Sequence, residues 1–304
     1  MIEDREAELA ELLAEVRRIE VQANRLVSGV MSGGYSSVFR GSGVEFDEVR
    51  EFAEGDDIRA VDWNVTARTG RPFVKKYVDE RELTVMFLLD LSASMTGGFG
   101  VWSARQMAAR VCGCLALSAV RNNDKIGLVA FSADVDKYVP PKKGSSHALR
   151  IVRDCLALPA SSAGTDLAPA LNFVGRVLRK RAIVFVVSDF LAAGWERPLS
   201  MCARRHDVIA VRLLAPELAA PESELLHLRD PETGTTDVID WASPRVRAAY
   251  EARVAAWRAR GDEALRRAGV DCMDVPLPRT RHKDAIAGPI LTFFRMRELR
   301  SSKR

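Results

Sequence analysis

The sequence has no long apolar run. Its strongest ones, Val85–Leu89 and Ala182–Val187, are strand-length, far short of the roughly 20 residues that cross a bilayer. No membrane span is therefore expected. The start, Met1-Ile-Glu-Asp-Arg-Glu, lacks the apolar segment of a secretory signal, and the expectation is a cytoplasmic protein. Histidine is scarce: His147, His206, His227 and His282 are the four in the chain, and none stands at metal or triad spacing. The five cysteines, Cys112, Cys114, Cys155, Cys202 and Cys272, are odd in number and follow no zinc-like spacing. That argues against a complete disulfide framework and for small buried hydrophobes. Neither a Gly-x-Ser-x-Gly elbow nor a phosphate-cradling Gly-x-x-x-x-Gly-Lys loop occurs, so serine hydrolysis and P-loop ATP hydrolysis have no support. Excess charge is also small, with 45 basic against 41 acidic groups. The late basic cluster of Arg279, Arg281, Lys283, Arg295, Arg297, Arg300, Lys303 and Arg304 reads as a solvated helix face, with Phe293 and Phe294 in the core. A nucleic-acid partner is not expected.

What is present is an ordinary globular composition, 47% hydrophobic and 28% charged over 304 residues. Leu9, Leu12, Leu13, Val16 and Ile19 recur at helical spacing and predict an amphipathic helix over 4–28, packed on its own domain or on a partner. Glycine and serine crowd residues 32–43, a connector or set of tight turns. Residues 44–82 are charged and studded with aromatics, with a turn at Gly55-Asp56-Asp57. From residue 83 strands and helices alternate. Strands are expected at 83–89, 125–131, 135–139, 182–187, 207–213 and 270–276, the second and third as a hairpin. Helices are expected at 102–122, 146–157, 166–179, 195–204, 244–268 and about 284–299. Residues 216–224 and 229–236 read as an inserted loop and turn. The alternation predicts an α/β fold, a doubly wound, mostly parallel sheet with helices on both faces. The expected division is residues 1–82, the first helix with a small extended module, and residues 83–304, the sheet domain.

Asp90-Leu91-Ser92-Ala93-Ser94 follows directly on a buried strand. In such sheets ligands bind at the carboxyl ends of strands. Alternate residues of an extended loop project the same way, which brings Asp90, Ser92 and Ser94 toward one point. Thr165, before a helix, and Asp189, at the end of a second buried strand, add two more oxygen donors. If the two strands are neighbours, the carboxylates face each other. At about 4 Å they would repel by about 4 kcal/mol at an effective dielectric of 20. A divalent cation removes that repulsion, and hard oxygen donors suit magnesium. The structural alternative makes Asp90 and Thr165 helix caps, Ser92 and Ser94 turn residues, and Asp189 a loop acid.

Asp-x-Ser-x-Ser with a later Thr and a later Asp resembles the metal-ion-dependent adhesion site (MIDAS) of von Willebrand factor A domains, over roughly residues 83–278. Carried over by position, Asp90, Ser92, Ser94, Thr165 and Asp189 match the metal ligands, and Asp166 is an adjacent candidate. The resemblance implies Mg2+ or Mn2+, completed by an acidic residue from a partner. A second set of motifs precedes it: Gly43-Val44-Glu45-Phe46, Val49-Arg50-Glu51-Phe52, Gly55-Asp56-Asp57-Ile58-Arg59-Ala60-Val61-Asp62-Trp63, Ala67-Arg68-Thr69-Gly70 and Glu80-Arg81-Glu82-Leu83. These resemble the signature of the bacterial domain-of-unknown-function family fifty-eight, in its branch without membrane helices. Ala215-Pro216-Glu217 departs from the Asp-Pro-Glu of many relatives. Within the signature, Arg50, Arg59 and Arg68 against Asp56, Asp57 and Asp62 suggest a buried or half-buried ion network with Trp63 packed beside it, or a docking face.

Two functions follow as expectations. The first is a metal-dependent protein–protein interaction module. The resemblance implies a MoxR-type AAA+ ATPase as partner, in chaperone-like assembly or maturation. The second is a metal-dependent hydrolase or phosphotransferase using the same aspartates. The usual aspartyl phosphotransferase loop carries a second Asp two residues on, where this chain has Ser92.

Overall fold

A computed structural model describes residues 2–29, 45–53, 56–78, 82–97, 100–161, 164–221, 225–231, 233–280 and 285–301. The glycine-rich connector at 32–43 lies outside them, as do Gly98 and Phe99. The chain forms two compact units, residues 1–38 with 84–304, and residues 39–83.

The smaller unit pairs β1 (Glu45–Glu51) with β2 (Phe73–Val78) as an antiparallel ribbon. Between them lies a short helix, α2 (Trp63–Thr69). Asp62 caps it, accepting from the Asn64 and Val65 N–H groups at 3.0 and 3.3 Å, which satisfies donors no helical carbonyl can reach. Gly70, at φ +72°, closes it in the left-handed region. Of the expected ion network, the structure shows the pair of Arg50 and Asp56. Arg50 grips Asp56 with two hydrogen bonds of 2.7 and 2.6 Å. Asp57 and Asp62 are spent as caps, and Trp63 is 67% exposed rather than packed. Helix and turn termini claimed the carboxylates that the sequence offered to arginine.

The larger unit begins with α1 (Ile2–Gly29). It continues with β3 (Thr84–Asp90), α3 (Ala104–Arg121), β4 (Lys125–Phe131), β5 (Val135–Lys142), α4 (Ser145–Ala157) and α5 (Leu167–Val177). Then come β6 (Ile183–Ser188), α6 (Glu196–Ala203), β7 (Asp207–Leu214), β8 (Leu225–Arg229), β9 (Thr236–Asp240), α7 (Pro244–Ala268), β10 (Asp271–Pro276) and α8 (Ala287–Ser301). Six strands make one sheet in the order β10-β7-β6-β3-β4-β5. Only β5 runs antiparallel to its neighbour. The doubly wound, mostly parallel α/β sheet expected from the alternation is what forms.

The unbroken apolar runs follow from burial on both faces. Met86, Leu88, Val184 and Val186 pack with Leu167, Leu171 and Leu199 on one side. Phe87 and Phe185 stack on the other, ring centroids 5.6 Å apart, where α3 touches β3, β4 and β7. Truncating one such side chain, as in Leu88→Ala, would cost about 2–5 kcal/mol. β5 continues through Pro140 and Pro141, past the expected end at 139. An edge strand tolerates proline because one side of its backbone needs no partner.

Helix α1 packs against α3 and α4, so it groups with the sheet and not with the signature segment that follows it. Its buried stripe is Val16, Ile19, Ala23 and Val27, while Leu13 is 47% exposed. Gly113 on α3 permits the close crossing, since a β-carbon there would lie 2.7 Å from Ile19 Cγ2. An ion pair between Glu15 and Arg110 fixes the register. The turn expected at 229–236 joins two strands the sequence hid: β8 and β9 form an antiparallel hairpin around it. Its residues are mostly exposed, and the alternation of Leu226 and Leu228 in β8 is too short to mark a strand. Among the described residues, no helix is long and apolar enough to cross a membrane.

Candidate metal centre at the carboxyl edge of the sheet

The chain leaves β3 in one direction, toward β4 and β5, and later returns on the other side with β6, β7 and β10. The switch point therefore lies between β3 and β6, where the loops diverge and leave a crevice. Asp90 ends β3 and Ser188 ends β6. The parallel pairing of Leu89 with Val187 brings Asp90 and Asp189 to the same edge.

Four of the five expected residues are joined by one hydrogen-bonded chain. Asp90 Oδ1 accepts from Ser92 N–H at 2.8 Å. The Ser92 and Ser94 hydroxyls lie 3.0 Å apart. Ser94 donates to Asp189 Oδ2 at 2.7 Å, and Asp189 Oδ1 accepts from Leu191 N–H at 3.0 Å. Asp90 and Ser92 are fully buried and form the floor. Ser94, Thr165 and Asp189 are half-buried.

Thr165 arrives by a different route. The backbone of its loop is tied to the two neighbouring ones, Ser161 N–H to Leu91 O at 3.0 Å and Asp166 N–H to Ser132 O at 2.9 Å. Among the described residues Thr165 makes no hydrogen bond to the other four. Asp166, the adjacent candidate, is instead the cap of α5, accepting from Ala168 N–H at 2.8 Å.

Sequence reasoning assigned no part to Ser188. Its hydroxyl donates to Asp90 Oδ2 at 2.6 Å and accepts from Phe190 N–H at 3.0 Å. Phe190 has φ +57°, the left-handed region that costs a non-glycine residue about 1–2 kcal/mol. Its carbonyl accepts from the Trp257 indole at 3.0 Å. The turn is thus held by packing and hydrogen bonds on both sides of Asp189. Serine before aspartate at a strand end was the available signal, and it is a weak one.

Burial pushes the Asp90 carboxyl up to about 6, and the charge of Asp189 adds to that. The hydroxyls of Ser188 and Ser92 pull it back only in part. The donor set, two carboxylates and three hydroxyls, consists of hard oxygens and suits Mg2+ or Mn2+ better than zinc or copper. Among the described residues no group of three or more His, Cys, Asp or Glu side chains could hold a metal, so a cation here would depend on the hydroxyls.

An uncharacterized protein of Mycobacterium tuberculosis is 29% identical over 292 residues, 91% of this chain and 92% of its own length. Among solved structures, the chain is similar to the conserved hypothetical protein BatB of Bacteroides thetaiotaomicron, at 19% identity and a TM-score of 0.43, over 70% of this chain and 99% of that one. It is also similar to proximal thread matrix protein 1 of the mussel byssus, solved with zinc in its MIDAS motif, at 20% identity and a TM-score of 0.35, over 44% of this chain and 38% of that one. Residues 48–260 match the family model described as "Protein of unknown function DUF58", and the chain belongs to that family.

Proposed function

We propose that Asp90, Ser92, Ser94, Thr165 and Asp189 hold one divalent cation, Mg2+ or Mn2+, and that the protein is a metal-dependent protein–protein interaction module. The observation that supports this is the buried Asp90 carboxyl, whose ionisation is opposed by burial and by a second carboxylate, Asp189. Such a pair gains most from an added cation. Magnesium takes six oxygen ligands and keeps exchangeable waters, so a position remains for a carboxylate from another protein. The partner we favour is a MoxR-type AAA+ ATPase, in chaperone-like assembly or maturation in the cytoplasm. That identity rests on family resemblance alone. A hydrolase or phosphotransferase would use Asp90 as nucleophile, but the second acid expected two residues on is Ser92 here. The binding reading is therefore the stronger.

Titration calorimetry with MgCl2 and MnCl2 tests the site. Wild type should bind one cation, and Asp90→Ala should abolish binding with an unchanged circular dichroism spectrum. Capture of the MoxR-type ATPase should need magnesium and Asp90. Equal recovery in chelator would refute the metal-dependent interaction.

A further inference from the structure

We infer that the carboxyl edge carries a second docking subsite, a groove at the ends of β7 and β10 that takes an extended peptide with an apolar anchor and a neighbouring acid. It rests on the reading above in one respect: the same partner would send its ligating carboxylate to Asp90.

The groove has a volume of about 990 Å3, and its walls include Leu214, Pro216, Leu226, Val254 and Leu277. Among the described residues its charged lining residues are Arg279 and Arg258, the latter already paired with Asp274 at 2.5 Å. Deeper, between α7 and the β8–β9 hairpin, lies a cleft of about 130 Å3 walled by Leu228, Ile239, Trp241 and Tyr250. Groove and cleft share Pro216, Ala219, Pro221, Leu226 and Arg279, so they adjoin.

The cleft has a polar feature that points to an occupant. Trp241 is 3% exposed, and its indole N–H has no hydrogen-bond partner among the described residues. A buried donor left this way costs about 1–3 kcal/mol. The neighbouring Tyr250 hydroxyl is already committed to the Glu217 carbonyl at 2.6 Å. A peptide carbonyl entering with an apolar side chain would satisfy the indole. Glu217 also lines the cleft, which disfavours an acid there. The peptide's acid belongs by Arg279, which lines both groove and cleft, and its apolar side chain among Leu228, Ile239 and Trp241.

Groove and metal loops are physically continuous. Trp257, a groove wall, donates to Phe190 O at 3.0 Å, next to Asp189. Val101 N–H donates to Pro278 O at 3.0 Å, joining the segment after the Ser94 loop to the end of β10. β7 is the second neighbour of β3, which is about 10 Å at roughly 4.8 Å per strand. An extended chain rises about 3.3 Å per residue. At least about three residues then separate the metal-binding acid from the groove.

The probe is a fluorescein-labelled peptide, Gly-Asp-Gly-Ser-Gly-Leu-Asp-Leu-Gly, with a control in which both leucines are serine. Fluorescence anisotropy with magnesium should show the leucine peptide binding at least about tenfold tighter, given about 1.5–3 kcal/mol per buried leucine. Ala219→Arg, at an exposed position shared by groove and cleft, should remove that advantage and leave the serine peptide unchanged. Ala219→Ser should retain it, and thermal unfolding of both variants reports on the fold. If chelator abolishes binding but the two peptides bind alike, the groove is wrong and the metal reading stands. If chelator changes nothing while Ala219→Arg still cuts the leucine peptide, the groove stands and the metal reading fails. No binding of the leucine peptide at millimolar concentration also overturns the groove.

Discussion

Two clusters of acidic side chains sit on one sheet and are treated in opposite ways. Asp274 on β10 meets Arg212 on β7 through hydrogen bonds of 2.8 and 3.1 Å. Arg258 lies 2.5 Å from the same carboxylate, and Arg212 also reaches Asp262 at 2.8 Å. Burial would push Asp274 up, but the hydrogen bonds and charge of Arg212 hold it below the usual carboxylate range. Asp90 has hydroxyls and a backbone N–H for company, and a second carboxylate opposes its charge. The first cluster is electrically complete within the chain and acts as a strut between β7, β10 and α7. On the proposed reading, Asp90 in the second gains from an added cation. That difference, more than burial or hydrogen bonding, separates a structural acid from a site.

The comparison can be broken most severely at the strut. Arg212 is 3% exposed, and Arg212→Ala should destabilise the protein by about 3 kcal/mol, measured by urea unfolding, because its acids lose their buried partner. Next comes Asp90→Asn in chelator. A carboxyl whose folded pKa is raised to about 6 contributes stability that is present below the ordinary carboxyl range and is lost as pH rises toward 6. Asp90→Asn should thus be more stable than wild type at pH 8, by up to about 3 kcal/mol, and show no such gain at pH 4. A wild type whose metal-free stability is flat between those pH values would undo the contrast. Ser188→Ala removes a donor to ionised Asp90 and should cost about 2 kcal/mol at pH 8. It should also move the pH transition upward, readable by following the Asp90 carboxyl carbon by NMR. The smallest effect is expected at Gly261, where a β-carbon would lie 3.4 Å from Arg212 Nη1. Gly261→Ala should stabilise α7 by about 0.5–1 kcal/mol, and a loss instead would mean that the Arg212 guanidinium cannot shift.

Much of this was legible in the residues. Apolar runs at 85–89 and 182–187 sit on both faces of a sheet, and such runs have few other uses. The polar residues that end them, Asp90, Ser92, Ser94 and Asp189, came together because neighbouring parallel strands end at one edge. Ser188 was not legible, since a serine at a strand end has many ordinary roles. The left-handed turn at Phe190 was hidden because nothing about phenylalanine announces positive φ. The β8–β9 hairpin escaped because its side chains are mostly exposed and its alternation, Leu226 and Leu228 in β8, is short. The groove it helps wall was therefore invisible too. In the smaller unit the error ran the other way. Charges of opposite sign suggested a network, but Asp57 and Asp62 were capping donors a few residues ahead.

The grouping of α1 with the distant sheet has a consequence for the order in which the protein is made. Val16, Ile19, Ala23 and Val27 leave the ribosome well before the helix that covers them, which does not begin until Ala104. At about 5–20 residues per second, the first helix presents its apolar stripe for several seconds while the smaller unit and β3 are still emerging. The newborn chain thus passes through an interval in which this helix is a ligand for whatever else in the cell binds amphipathic helices.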